Sequence, residues 1–314
     1  MKTLILKALR YLLGLAVLVA LVCLADIRSV VTSLAYISLF DLFILLVLSF
    51  FLVLVSVIKW RIFLARLGIV ATVTRLYRLY LVGYFVNLIM PSYLGGDVVR
   101  SLYIGANVDK VHAVSATMLE RYTGFIAMIS MALIALLFAP NIPKELTIVV
   151  ICTALSLVVV SVALFRGYTA KLARWINIPE RFVQILKKVE QSLRWGMIDR
   201  KLLLRAFLLS VTFHLLTILN TAAVGHAVGW VNIPFGDLFV VVPLILIVGA
   251  LPISPQGLGI QEGAFLFFLH AVGASSGEAL AVGLVLRAKS YLLAGLGGFL
   301  WMGLKKGAAP ATCR

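Results

Sequence analysis

The sequence predicts an all-α integral membrane protein. Three observations carry this: an excess of apolar residues, their segregation into span-length runs, and basic residues clustered between those runs. The 314 residues are 63% hydrophobic with a mean hydropathy of +1.11, where a soluble domain is about 45–50% apolar. No soluble core would bury this surplus, so lipid is the solvent. The net charge is +16, but its placement argues against nucleic acid. Three basic residues lie at the N-terminus (Lys2, Lys7, Arg10), five in 59–78, ten in 166–205 and three in the tail (Lys305, Lys306, Arg314). Basic segments beside apolar runs follow the positive-inside pattern and favour anionic lipid.

The runs 4–25, 41–58, 122–139, 146–165, 203–224 and 279–302 read as six full transmembrane helices. Each is about 18–24 residues, which suits a hydrocarbon core about 30 Å thick at 1.5 Å per residue. The first run follows a basic start and ends at Cys23-Leu24-Ala25, a passable cleavage site. Its length favours an uncleaved anchor. Charge places both termini, 59–78, 109–121 and 166–202 on the cytoplasmic side of the cell membrane. Segments 26–40, 140–145 and 225–237 fall outside. The stretch 166–202 carries Trp175, Ile176, Phe182, Ile185, Leu186 and Leu193 among its basic residues. It reads either as amphipathic helices on the cytoplasmic surface or as a solvated connector. One transmembrane domain, 1–314, is expected, with pseudo-repeat halves of about 1–165 and 203–304 joined by this segment.

Two further apolar stretches, 79–108 and 238–272, are broken by Pro and Gly. The first runs through Asn87, Pro91, Gly95, Gly96, Asp97 and Arg100. The second runs Leu251-Pro252-Ile253-Ser254-Pro255-Gln256-Gly257-Leu258-Gly259-Ile260-Gln261-Glu262. Each has Pro, a Gly pair, an acid and then an apolar helix. Pro removes a backbone donor and Gly loosens the chain. Pro91 and Pro252 lie half a chain apart. Non-helical backbone at membrane depth requires cover by protein or a wet cavity. Paired broken segments in matching halves point to a transporter's site in an inverted repeat. The breaks are therefore expected to be re-entrant or discontinuous helix pairs. Ordinary loops between helices, with Asp97 complementing a helix dipole, would leave the same pattern.

Charged residues within the runs come next. Arg287 and Lys289 sit roughly 12 and 15 Å inside the last span at 1.5 Å per residue, where cations mark function or a partner. Two residues apart they point to nearly opposite faces, so one is expected to reach a shared cavity. Arg287, which shares a face with Tyr291 by i,i+4 spacing, is favoured. Lys289 is read either as snorkelling or acid-paired, or as facing the cavity. Arg100 shares a face with Asp97. Glu120 and Arg121 open the third full span, where they read as an interfacial anchor or as cavity residues. His214, Thr217 and Thr221 form a stripe suited to interhelical hydrogen bonding. Asn87 is placed to line the cavity or to satisfy freed backbone groups. Cys23, Cys152 and Cys313, with four isolated histidines, give neither a disulfide framework nor metal spacing. Gly257-Leu258-Gly259 follows no strand and is no dinucleotide fingerprint. No cofactor and no catalytic constellation are expected.

These motifs carry a resemblance. The Asn87–Arg100 stretch, Glu120-Arg121-Tyr122-Thr123-Gly124, Leu251–Glu262 and Leu286-Arg287 resemble the lysylphosphatidylglycerol synthase transmembrane family, also called flippase-like membrane proteins. The resemblance covers nearly the whole chain. Its most specific parts are the Pro255–Glu262 segment and Arg287. It implies a lipid-translocating module with two re-entrant elements. In aminoacyl-phosphatidylglycerol synthases such a module precedes a soluble aminoacyltransferase domain. This chain ends after the membrane part and is expected not to make an aminoacylated lipid. Stand-alone relatives accompany glycosyltransferases or polyprenyl-lipid pathways, so a lipid-synthesising enzyme is a candidate partner. Gln256 departs from a pattern that usually has Gly there, and Gly95-Gly96-Asp97 from one with Gly-Glu.

The expected function is therefore binding or flipping of an anionic phospholipid or polyprenyl-phosphate-linked lipid. Arg100, Arg121 and Arg287 would attract the phosphate, Asp97 and Glu262 would balance those cations or bind a cationic headgroup, and the Gly95–Asp97 and Gly257–Glu262 ends would gate. Two alternatives stand beside it. One is a membrane transferase using Asp97 and Glu262. The other is a subunit that presents lipid to a synthase without moving it.

Overall fold

A computed structural model of the chain describes residues 2–90, 95–106, 109–139, 142–168, 174–175, 179–196, 199–251 and 253–304. It is an all-α membrane protein, with twelve α-helices and no strand among the described residues. The helices are α1 (Lys2–Leu24), α2 (Ile27–Ala35), α3 (Leu39–Arg66), α4 (Val73–Ile89), α5 (Gly95–Gly105) and α6 (Lys110–Leu136). They continue as α7 (Lys144–Arg166), α8 (Glu180–Gly196), α9 (Arg200–Ala227), α10 (Phe235–Gly249), α11 (Ile260–His270) and α12 (Ser276–Leu304). Five of them, α3, α6, α7, α9 and α12, are long and apolar enough to cross a membrane, and the pair α1–α2, bent by 88°, makes a sixth candidate. The outer surface is apolar: Phe43, Phe51, Leu155, Val159, Leu219 and Phe299 are all exposed. Water would not tolerate this surface, and hydrocarbon does.

The six expected spans coincide with α1, α3, α6, α7, α9 and α12, but three connecting regions differ from expectation. The 59–78 segment contains a turn of only 67–72, because α3 runs on to Arg66 and Thr72 caps α4 by accepting from Arg75 N at 3.3 Å. Segment 109–121 is no loop. Asp109 accepts from Val111 N and His112 N and starts α6 at Lys110, so Glu120 and Arg121 lie mid-helix rather than at its mouth. Segment 26–40 holds α2 and a capping box between Ser38 and Asp41. Hydropathy shortened α3 and α6 because Lys59, Arg61 and Arg66, and then Glu120 and Arg121, lower the mean of an apolar window although they lie within helices.

The basic connector is also partly folded into the protein. Helix α8 packs on α6 and buries Val183, Val189 and Leu193, while Arg194 donates to Leu164 O at the C-terminal end of α7. Trp175 is exposed. Ile176, and the side chains of Phe182, Ile185 and Leu186, lie outside the described residues, as do Pro91, Pro252, Cys313 and the basic residues of the tail.

Two sets of four helices follow one pattern. Helices α3 and α9 each have 28 residues. Next come α4 and α10, of 17 and 15 residues, each ending at a break. Short helices α5 and α11 have 11 residues each, and long helices α6 and α12 have 27 and 29. Each short helix packs on both of its neighbours in its own set. Between the sets, α4 packs on α12 as α10 packs on α6, and α3 packs on α9.

The α4–α12 contact is the most extensive and depends on small residues. A Cβ at Gly297 would stand 1.9 Å from Leu81 O, and one at Gly298 2.8 Å from the Phe85 ring. Small residues of this kind let helix backbones approach where lipid supplies no hydrophobic drive. Gly295, two residues from Gly297, faces open space. Gly297→Ala is therefore expected to destabilise by about 1–3 kcal/mol through overpacking. Gly295→Ala should be neutral, or stabilising by up to about 1 kcal/mol. Unfolding midpoints in detergent check both.

Candidate functional site

Charged side chains converge at both helix breaks. At the first, α4 ends at Ile89 and α5 restarts at Gly95. The restart exposes backbone donors, and Asn87 Oδ1 accepts from Gly96 N at 2.6 Å. Asp97, in the first turn of α5, receives two guanidinium groups. Arg121 reaches across from α6 with Nε at 2.7 Å and Nη2 at 2.9 Å, and Arg100 donates from Nε at 3.1 Å. Arg100, 1% exposed, donates from Nη2 to Glu120 at 2.7 Å, and Tyr80 OH donates to the other oxygen of Glu120. The Arg100 guanidinium also stacks on Tyr80 and Trp60, at 4.0 and 4.4 Å from the ring centroids. Its Nη1 has no hydrogen-bond partner. Arg121 is 40% exposed along its side chain.

The second break lies between Gly249 and Ile260 and is built from backbone in the left-handed region. Gln256, Gly257 and Gly259 have φ of 51°, 67° and 77°. Left-handed backbone turns its carbonyls inward, and Arg287 of α12 collects them. Its Nη1 donates to Gln256 O and its Nη2 to Gly257 O, both at 3.1 Å, and its Nε donates to Glu262. Glu262, 1% exposed, accepts Gly259 N with its second oxygen at 2.8 Å. Helix α1 seals this turn: Gly14 stands against Leu258 O, and a Cβ at Gly259 would meet Gly14 O at 2.5 Å.

The two breaks use one device. In each, the third residue of the short helix is an acid. It binds an arginine from the next long helix, Arg121 for Asp97 and Arg287 for Glu262, 24 and 25 residues later. Buried charges in low dielectric need such pairing, and freed backbone groups need partners as much as side chains do.

Each break opens onto a cavity. The first, of about 230 Å³, is lined by Lys59, Tyr80, Asp97, Arg100, Glu120 and Arg121 among others. The second, of about 150 Å³, is lined by Asn220, Thr221, Gln256, Gln261, Arg287 and Lys289 among others. Tyr84, Asn87, Phe213 and Leu246 border both, so a single layer of side chains separates them.

The cavities draw on the expected site residues unevenly. Asn87, Asp97, Arg100, Glu120, Arg121 and Arg287 face them directly. Gly95 and Gly96 pack the α5 start against α4, and Pro255, Gly257, Gly259 and Glu262 build the second turn. Tyr291, 40% exposed, lies 5.9 Å from the Arg287 guanidinium, and Pro91 lies outside the described residues.

Other residues depart from expectation. Lys289 neither snorkels nor meets an acid: its Nζ donates to Asn220 Oδ1 at 2.8 Å, and it shares the second cavity with Arg287. Long side chains curl around the helix and overcome the opposed Cβ directions. His214 does bond across helices, to Gly124 O at 3.1 Å. Thr217 and Thr221 instead donate to carbonyls of their own helix. Lys59, Trp60 and Tyr80 escaped the sequence reading. Lys59 falls in the basic 59–78 segment that charge assigns to the cytoplasmic side, although it lies nearly two turns before the end of α3.

The family model for the lysylphosphatidylglycerol synthase TM region matches residues 11–298. The chain belongs to this family. No curated protein and no solved structure matches it. The lysylphosphatidylglycerol synthase TM family is membrane-associated and lipid-related, which agrees with the apolar exterior and the buried polar interior. Both ion-pair clusters and both breaks fall within the matched region. The departure at Gln256 has a structural correlate, since that residue holds a left-handed φ that glycine adopts freely.

Gln256→Gly is expected to stabilise the protein by about 1 kcal/mol through relief of left-handed backbone. Glu120→Ala, which strips Arg100 of its closest carboxylate, should cost roughly 3–5 kcal/mol. Denaturant midpoints in detergent read both changes.

Proposed function

We propose that the protein moves an anionic lipid headgroup across the cytoplasmic membrane. The observation that carries this reading is the pair of cavities, each lined by charged side chains and sharing one side-chain wall, inside a bundle with an apolar exterior. A headgroup needs such a polar interior, while its acyl chains need the surrounding lipid. Breaks in corresponding helices at a central site are how transporters bring free backbone groups to a substrate.

In this reading the two breaks are re-entrant elements, and the matching helix sets are the cores of an inverted repeat with halves of about 1–165 and 203–304. Both termini are cytoplasmic. The cargo is an anionic phospholipid or a polyprenyl-phosphate-linked lipid, and a lipid-synthesising enzyme is a candidate partner. The protein acts without covalent chemistry. In support, the acids singled out for catalysis are engaged as acceptors: Asp97 by two arginines, Glu262 by Arg287 and a backbone N–H. Neither is left as a free base within the cavities.

The test is headgroup accessibility of labelled anionic lipids in reconstituted vesicles. Wild-type protein should expose inner-leaflet headgroups to an external quencher faster than empty vesicles do. Phe213→Trp, which thickens the shared wall, should slow that exposure at least fivefold. Rates equal to those of empty vesicles, across a panel of anionic phospholipids and polyprenyl phosphates, would refute the reading.

A further inference from the structure

Once the ion pairs are counted, the arginines are no longer the free cations of the site. Arg100 and Arg121 share Asp97, Arg100 also holds Glu120, and Arg287 holds Glu262. The first cavity has three cations against two carboxylates, and the second has two cations against one. The surplus in each is a lysine. Lys59, 5% exposed, donates from Nζ to Ser210 Oγ at 3.1 Å. Lys289 donates to Asn220 Oδ1. Among the described residues neither forms an ion pair with a carboxylate.

Three features distinguish these ammonium groups. Each has a neutral partner, which an anion displaces more readily than it displaces a carboxylate. An ammonium has three donors, so one such bond leaves two for a ligand. Finally, both partners lie on α9, ten residues apart, about 15 Å along the axis. His214 and Thr217 lie between them on the same face, His214 lining the first cavity and Thr217 the second. One polar face therefore runs past both cavities, from one ammonium to the other. Space is kept for Lys59: a Cβ at Gly124 would stand 3.2 Å from its Nζ.

We propose that Lys59 and Lys289 are two stations for the phosphate of a lipid headgroup, one in each cavity, linked by the polar face of α9. The arginines hold the breaks together, and the lysines hold the cargo. This rests on the lipid-moving reading above and names the groups that touch the substrate. It also sets a selectivity. Asp97, Glu120 and Glu262 already accept from arginine, so no uncommitted carboxylate among them offers itself to a cationic headgroup. Hydroxyl-bearing anionic headgroups are favoured, and Asn220, Thr221 and Gln256 are in place for the hydroxyls. Gln256 Oε1 is buried in the second cavity without a hydrogen-bond partner.

The full-length protein in detergent is titrated calorimetrically with dihexanoyl-phosphatidylglycerol, dihexanoyl-phosphatidylcholine and inorganic phosphate. Wild type should bind the phosphatidylglycerol most tightly. Lys59→Gln and Lys289→Gln should each weaken that binding at least tenfold, and Lys59→Arg and Lys289→Arg should restore part of it. Lys188→Gln, on the exposed side of α8, should not change it. Gly124→Ala, which crowds the Lys59 ammonium, should weaken it severalfold. Melting temperatures accompany each titration. Where a variant does not fold, reductive methylation of the wild type, read by mass spectrometry, decides. The phosphatidylglycerol should protect Lys59 and Lys289 but not Lys188.

Lipid binding unchanged in the lysine variants, or unprotected lysines in the lipid-bound wild type, would overturn the assignment while leaving the lipid-moving reading intact. A wild type that binds neither lipid would also overturn the assignment, and the vesicle experiment with polyprenyl phosphates then decides the lipid-moving reading. Inorganic phosphate bound as tightly as the phosphatidylglycerol would assign the stations to free phosphate and overturn the lipid assignment. Equal binding of the phosphatidylcholine would overturn the selectivity.

Discussion

Everything else in this structure depends on the bond between an acid in the first turn of a short helix and an arginine from the next long helix. Breaking a helix inside lipid frees carbonyls and N–H groups that nothing outside the protein can satisfy. Glu262 takes a backbone N–H with one oxygen and Arg287 with the other, while Arg287 takes two carbonyls of the broken turn. The pair is both a charge pair and a clamp on the backbone. At the first break the work is divided. Asn87 takes the freed N–H, and Asp97 ties α5 to α6 through Arg121. A low dielectric makes each such group costly alone and strong when paired. The two carboxylate–arginine links therefore fix where the short helices sit, and so where the cavities open.

That arrangement also separates two tasks that a basic site often combines. Guanidinium groups, planar and many-toothed, suit fixed partners, whereas a lysine ammonium is a compact charge on a supple stem. Here the guanidiniums join α5 to α6 and α11 to α12, and the ammoniums of α3 and α12 turn instead to neutral side chains of α9. The corresponding packing of the two helix sets puts one cluster of each kind beside each break.

Much of this was legible in the sequence, and the residues that were not share a cause. The long helices follow from uninterrupted apolar runs. Both breaks follow from Pro and Gly beside an acid, because few other contexts tolerate that composition in an apolar stretch. Arg287 and Asp97 stood out as charges where lipid forbids lone ones. Glu120 and Arg121 were placed at a helix mouth because their partners, Arg100 and Asp97, sit on another element, and hydropathy counts charges without knowing which are neutralised. Lys59 was hidden by its neighbours: Arg61 and Arg66 belong to the end of α3, and only the helix rotation turns Lys59 inward. Trp60 and Tyr80 read as ordinary core aromatics, and only the overlying Arg100 distinguishes them. Gln256 was visible as a departure from a glycine, but its left-handed backbone was not.

Tyr84, Asn87, Phe213 and Leu246 form a partition one residue thick between the cavities. Under the lipid-moving reading proposed above, ring and amide rotations are the smallest movements that would open a partition of that thickness. Rotamer changes are intrinsically fast, from picoseconds to nanoseconds at exposed positions, against microseconds to milliseconds for domain rocking. Traffic through such a septum would be limited by how seldom these four side chains swing aside together. In that proposed route the ion pairs that tie α5 to α6 and α11 to α12 would not have to break.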